Sequence, residues 1–274
     1  MEKRHARNAV DTDLVLHYVR ERRRILAREG CRKLHNALKP VFIAHKIKLG
    51  RDKFFDILRE HNLLIRKRKR SKKTTHSNHL YYKYPNIIKD MTVTESERVW
   101  VSDITYLNVG KGFAYLSLVT DLYSKRIMGY TVHPNLGAEG ALKAMRQALR
   151  NRRYPERKLI HHSDRGIQYC CNAYVKELKR NGIDISMSAH GDPYENSVAE
   201  RVNGTLKTEF YLDGHYRTLE EARRAVKNVV VIYNTFRQHA SCDYMTPNQA
   251  HMQNGYLRKR WKKYESKGCQ KMAA

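Results

Sequence analysis

Acidic side chains are the first thing this chain is short of. Its 274 residues carry 54 Lys plus Arg against 27 Asp plus Glu, a formal net charge of +27. A compact protein so basic repels itself at low salt and attracts polyanions, because each cation placed at a phosphate releases condensed counterions. Nucleic acid is the first partner this implies, and an anionic membrane surface the second. Cysteines are few and irregularly placed: Cys31, Cys170, Cys171, Cys242 and Cys269. With no C-x-x-C pair, a structural zinc site is not expected, and reduced thiols are. No run approaches the roughly 18 apolar residues of a membrane span. The first ten residues have no apolar stretch, so no signal peptide is expected. These absences point to a protein of the cytoplasm.

Organisation changes along the chain. Apolar positions at helical spacing predict a helix over 13–29, a second from Cys31 to Leu38 ended by Pro40, and a third from Arg51 to His61. Three short helices with basic flanks suit a small all-α helix-turn-helix module over 1–65, in which Arg51 and Lys53 would face DNA. An ordinary helical bundle has the same pattern. Seven of the eight residues 66–73 are basic. Such a run cannot pack into a core. Residues 66–95 therefore read as a basic linker, with Arg66, Lys67, Arg68, Lys69 and Arg70 tracking phosphates or serving as a plain tether.

From residue 96 to 254 the texture is that of an α/β domain. Strands are expected at 99–106, 113–120 and 126–132, joined by short turns as an antiparallel meander. A helix over 138–150 follows, then a strand at 159–163, a helix at 172–180, a strand at 183–187, and helices at 197–210 and 219–236. This order describes a mixed sheet flanked by helices and matches the ribonuclease-H-like order. Residues 255–274 form a basic tail.

Three carboxylates stand out. Two-metal phosphodiester chemistry needs a few oxygen ligands at one point, one or two carboxylates to each Mg²⁺. Asp103 lies inside the apolar strand Val-Trp-Val-Ser-Asp-Ile-Thr, where an Asp is costly unless hydrogen-bonded or metal-bound. Asp164 ends the strand at 159–163, a common place for functional groups, and a turn Asp before Gly reads equally well. Glu200 sits early in the helix after the loop Gly191-Asp192-Pro193-Tyr194, with Lys207 seven residues on along the same face and Arg201 and Asn203 as nearby donors. A solvated helix face is the plainer reading of that pattern.

Taken in order, these blocks resemble the DDE integrase core of the insertion-sequence-three family of transposases, in its second reading frame. Trp100-Val101-Ser102-Asp103-Ile104-Thr105 resembles the family's W-x-x-D-I-T. His162-Ser163-Asp164-Arg165-Gly166-Ile167-Gln168-Tyr169 resembles H-S-D-R-G-x-Q-Y. Gly191 to Glu200, with Leu206-Lys207-Thr208-Glu209, resembles G-x-P-x-D-N-A-x-x-E…L-K-x-E, and thirty-five residues lie between Asp164 and Glu200 as that family expects. Tyr233-Asn234, Arg237, His239 and Thr246-Pro247 resemble its C-terminal block. Gly50-Arg51-Asp52-Lys53 through Leu63-Leu64 resembles its helix-turn-helix. Glu195 and Ser197 depart from the usual Asp and Ala, at positions that are not metal ligands.

The resemblance implies a ribonuclease-H-like DNA transposase whose Asp103, Asp164 and Glu200 hold two Mg²⁺, or two Mn²⁺ in their place. It implies nicking of element ends and transfer of the freed 3′-OH, with double-stranded DNA (terminal inverted repeats and target) as partner. Lys207, Arg201 and Asn196 would contact that DNA, and Asn196 and His162 would shape the site. A homo-oligomer, dimer or larger, follows from pairing two ends. An upstream reading-frame product is a further partner, and the nucleoid of a bacterial cytoplasm the expected location. A ribonuclease-H-type nuclease, a non-catalytic DNA-binding regulator and a tyrosine recombinase are the competing readings.

Overall fold

The computed structural model describes residues 2–65, 80–189 and 195–260. The basic run from Arg66 to Arg70, the loop 191–194 and residues 261–274 lie outside these.

Three helices open the chain: α1 (Glu2–Ile25), α2 (Cys31–Ala44) and α3 (Arg51–Glu60). Leu34, Leu38 and Phe42 of α2 recur every fourth residue and are buried with Val15, Val19, Phe54 and Leu58, the stripe a core-facing helix needs. That stripe also corrects the expected stop at Pro40. The proline is exposed and sits inside α2. Burial of Phe42 against Phe54 and His35 outweighs the hydrogen bond that a prolyl nitrogen cannot make. At the other junction α1 stops at Ile25, short of the expected 29, because Arg22 pairs with Glu29 at 2.5 Å and folds the chain back.

The rest is built on one sheet. Its strands are β1 (Val99–Val109), β2 (Gly112–Asp121), β3 (Ile127–His133), β4 (Ile160–Ser163), β5 (Asp184–Met187) and the short β6 (His215–Tyr216). The order is β3-β2-β1-β4-β5. The first three run antiparallel, β4 and β5 are parallel to β1, and β6 pairs with the far end of β1. The meander and the two later strands are as the sequence predicts; two-residue β6 has no period to reveal it.

Alternation along β1 sorts its side chains into two layers. Trp100 faces α4 (Ala138–Arg150), α5 (Ile167–Cys170) and α6 (Asn172–Arg180), packing with Met145, Tyr174 and Leu178. Leu107 faces α7 (Ser197–Glu209) and α8 (Leu219–Thr235), packing with Val202, Leu206, Val226 and Tyr233. Gly129 of β3 is where the first layer closes: a Cβ there would sit 2.0 Å from Ala144 O. Residues 85–93, read from the sequence as linker, pack on the core. Ile88, Met91 and Val93 cover Val99, Val101 and Ala199, and Ile87 N donates to Ser186 Oγ.

The C-terminal end is tied down by a buried polar knot. The carboxylate of Glu97 accepts from Arg153 N, Tyr154 N and the Arg152 side chain, and bonds His251 Nε2. His251 Nδ1 meets Ser124 Oγ, which donates to Asp121. His251 ends α9 (Pro247–His251), whose Thr246–Gln249 capping box accounts for the Thr-Pro pair in the sequence. Among the described residues, no helix is long and apolar enough to cross a membrane.

Candidate active site

Asp103 shares the parity of Leu107 and therefore faces α7. Its carboxylate is held on both oxygens: Oδ1 accepts from Ile104 N at 2.9 Å, and Oδ2 from Asn203 Nδ2 at 2.8 Å. The parallel register pairs Val101 with His162, so Asp103 and Asp164 each lie two residues further along adjacent chains. Asp164 Oδ1 accepts from Gly166 N at 3.0 Å. A Cβ on Gly166 would lie 3.0 Å from that same oxygen, which explains a glycine two residues after the aspartate. Glu200 enters from the first turn of α7, with Asn203 and Lys207 on the same face three and seven residues on.

The electrostatics agree with the placement. Asp103 is pushed up to about 7, first by burial and then by the charge of Asp164, with Glu200 adding a smaller push; the bonds from Asn203 and Ile104 act the other way. Lys207 is lowered by burial, and Asp103 is the foremost of the charges opposing that. The α7 cation therefore lies within electrostatic reach of the β1 carboxylate.

Adjacent side chains fix the site rather than line it. His161 and His162 are buried and neutral, pushed down to about 3 and about 4, chiefly by burial. His161 Nε2 bonds Ser102 Oγ at 2.8 Å and Tyr174 OH at 3.1 Å, and His162 Nδ1 bonds Ser186 Oγ at 2.8 Å. The histidines thus stitch β4 to β1 and β5. Asn196, expected to contact DNA and to shape the site, is buried, and its amide donates to Ser102 O at 3.0 Å, anchoring the start of α7 on β1. Arg201 is exposed on α7. Arg51 and Lys53 are exposed on α3, Arg51 paired with Asp52 at 2.8 Å. These three lie outside the carboxylate cluster.

The C-terminal block of the sequence pattern forms scaffold. Asn234 bonds Ile127 through N and O, at 3.0 Å each, as a neighbouring strand would. Arg237 forks onto Glu209 at 2.8 and 2.9 Å. Spacing along α7 was the signal for Asn203; the Glu209–Arg237 pair joins the end of α7 to the segment after α8 and has no local signal.

An oxygen-only set of carboxylates, two of which raise the proton affinity of Asp103, suits a hard divalent cation. Among the described residues, no group of three or more His, Cys, Asp or Glu side chains is placed to hold a metal ion. The Asp103–Asp164 pair is assembled across β1 and the end of β4, and Glu200 stands beside it on α7.

Comparison with known proteins places the chain in a family. Two models described as integrase core domain match residues 93–193 and 181–247. The transposase of insertion sequence element IS904 from Lactococcus lactis is 32% identical over 234 residues, covering 78% of this chain and 91% of that protein. Transposase InsF for insertion sequence IS3A of Escherichia coli is 36% identical over 167 residues, covering 61% of this chain and 58% of its own length. Among solved structures, a chain of the simian T-cell lymphotropic virus intasome superposes with a TM-score of 0.51 at 15% identity, covering 84% of this chain and 76% of that one. That likeness extends the ribonuclease-H-like fold to the retroviral integrases. On the sequence relatives, this chain belongs to the insertion-sequence-three type of DDE transposases, built on the integrase core domain.

Proposed function

We propose that the chain is a DNA transposase that nicks the ends of its insertion sequence and transfers the freed 3′-OH to a phosphodiester, with Asp103, Asp164 and Glu200 as its catalytic carboxylates. The observation that carries this reading is Asp103: an enclosed carboxylate with proton affinity raised to about 7 by burial and by Asp164 and Glu200, held in place by Asn203. Such repulsion is unfavourable in the protein alone and is relieved by cations.

Asp103, Asp164 and Glu200 would hold two divalent ions, Mg²⁺ or Mn²⁺. When bound, these supply activation of the attacking oxygen and stabilisation of the leaving one. The chain's own residues do the rest. Asn203 fixes the Asp103 carboxylate, leaving its other lone pairs free for ligation. Asn196 sets where α7 begins relative to β1 and hence where Glu200 stands. Lys207 offers a cation on the Glu200 face of α7, suited to a phosphate near the reacting bond. With no side chain cast as nucleophile, transfer is direct and no protein–DNA bond forms.

Arg51 and Lys53 on α3, Arg201 on α7 and the run Arg66, Lys67, Arg68, Lys69 and Arg70 would carry the phosphate contacts, with the N-terminal helical unit reading the terminal inverted repeats. Pairing two ends and a target requires at least a dimer of this chain, with an upstream reading-frame product as a further partner. The site of action is the nucleoid in a bacterial cytoplasm.

The test is a labelled duplex carrying the element's own terminal repeat, incubated with Mg²⁺ and either wild type or Glu200→Gln. Nicked and then joined product from wild type, and neither from the variant at unchanged end binding, is expected. Nicking without joining would favour a nuclease, and binding without cleavage a regulator.

A further inference from the structure

The carboxylate of Glu209 has a third partner besides the Arg237 fork. Lys33, from α2, places its Nζ 2.7 Å from Oε1 and 2.9 Å from Oε2. Three further contacts gather at the same place. Asn36 Nδ2 donates to Gln238 Oε1 at 3.2 Å, and Arg22 Nη2 to Phe236 O at 3.4 Å. The Arg28 guanidinium lies 5.5 Å from the centre of the Tyr211 ring. All four donors belong to α1, α2 and the turn between them. All four receivers belong to two short stretches of the core, 209–211 at the end of α7 and 236–238 after α8.

The receiving side is rigid. Arg237 Nη1 donates to His239 Nε2 at 2.7 Å, so His239 is neutral with its proton on Nδ1, and burial with the Arg237 charge keeps it so. The Arg237 guanidinium also lies 5.7 Å from the Tyr233 ring centre. Burial works against the charge of Glu209, but Arg237 and Lys33 outweigh it and hold the carboxylate at about 2. The acceptor therefore stands ready, oriented by the core, whether or not Lys33 is present. These contacts are polar, the kind that links units able to separate.

Glu209 also ends the helix that carries Glu200 in its first turn. Nine residues separate them, roughly 14 Å of axis at about 1.5 Å per residue. A helix is stiff over that length, so whatever grips one end orients the other.

We propose that Glu209 and Arg237 form a docking receptor on the core for Lys33 of the chain's own N-terminal helical unit, so that this unit and the Glu200 helix move as one body. This rests on the proposed function in taking the N-terminal unit as the binder of element ends. DNA held there stands in a set relation to α7, and Lys33 is a positioning residue that touches no reacting atom. The proposal gives the Lys-x-Glu pattern after Glu200 a division of labour: Lys207 faces the carboxylates, and Glu209 faces the other domain.

The experiment is zero-length carbodiimide cross-linking of the whole chain, read by mass spectrometry. Lys143 and Glu139 of α4, 2.6 Å apart, serve as the internal control. A Lys33–Glu209 amide within one chain is expected, identified by mixing isotopically heavy and light protein. Absence of that link while the control forms, or a link found only between heavy and light chains, would overturn the joint. Lys33→Glu is then compared with wild type on the end duplex. End affinity within about twofold and a nicking rate lowered about tenfold are expected, with Lys33→Arg restoring most of the rate because a guanidinium can take the same carboxylate. Full nicking by Lys33→Glu would overturn the coupling. If wild type neither nicks nor joins, the proposed function fails, and the cross-link still decides the joint.

Discussion

At the scale of single residues, the unusual group is Asp103. Its carboxyl titrates at about 7 in the fold against 3.8 for an ordinary Asp. A folded value raised above the unfolded one means the fold favours the proton. That contribution is complete below about 4 and is lost as pH rises through about 7. In chelator, Asp103→Asn should therefore stabilise the protein at pH 8, by about 1–3 kcal/mol, since a tenfold change in proton affinity is worth about 1.4 kcal/mol. The gain should vanish below about pH 3, under the ordinary value of 3.8, where the Asp is protonated in both states. Urea melts at the two pH values decide this. A variant no more stable than wild type at pH 8 would mean that the carboxylates do not repel as the geometry implies. Adding Mg²⁺ should invert the ranking at pH 8, because the ion rewards the charge that Asn lacks. Asp103 stood out in sequence because it lies inside an apolar strand, where an acid is otherwise costly, whereas Asp164 and Glu200 stood out only through the ordered blocks they belong to. The anchoring contact of Asn196 was not legible, as a polar side chain next to a loop gives no local sign that it will be buried against Ser102 O.

At the scale of elements, local pattern succeeded wherever one face of a segment is buried. Ala138–Arg150 is the helix the sequence predicts, residue for residue, since its apolar stripe is continuous. Pro40 shows the limit: a backbone rule was overridden by contacts from α3 that lie outside the segment. Because the proline is exposed and contributes only its missing hydrogen bond, Pro40→Ala should stabilise the N-terminal helices by about 1–3 kcal/mol. Denaturant melting of the intact chain, followed by helix content, would reveal the gain, and an unchanged midpoint would mean that α2 is already broken at that point. Gly129 presents the reverse case. Nothing in Arg-Ile-Met-Gly-Tyr-Thr-Val marks its glycine, yet a Cβ there would meet Ala144 O at 2.0 Å and Ala148 N at 2.7 Å, both backbone atoms of α4. Gly129→Ala must push α4 off the sheet and should cost about 3 kcal/mol, the overpacking penalty of a closed core. Wild-type stability in that variant would show that α4 can slide.

At the scale of the whole molecule, charge governs the encounter with DNA, and the carboxylate cluster governs the strand chemistry once DNA is bound. A net charge of +27 predicts end binding that weakens steeply with salt, by roughly 0.9 logarithmic units of affinity per logarithmic unit of salt for each phosphate neutralised. The separate placement of the cations makes this divisible. Arg51 and Lys53 project from the first turn of α3, exposed and outside the carboxylate cluster, whereas Lys207 lies within electrostatic reach of Asp103. Lys53→Ala should reduce the salt slope of end binding by about one, the loss of one phosphate contact, and leave the nicking rate at saturating DNA unchanged. Arg51→Ala should change the slope less, because its guanidinium is shared with Asp52 at 2.8 Å. Lys207→Ala should barely move the slope and should lower nicking and joining at saturation, since its cation serves the reacting phosphate. Filter binding from low to high salt, paired with single-turnover nicking, separates the two classes. A Lys207→Ala variant that loses affinity but keeps its rate would place that lysine among the general phosphate contacts, and leave Asp103, Asp164 and Glu200 to carry the chemistry without it.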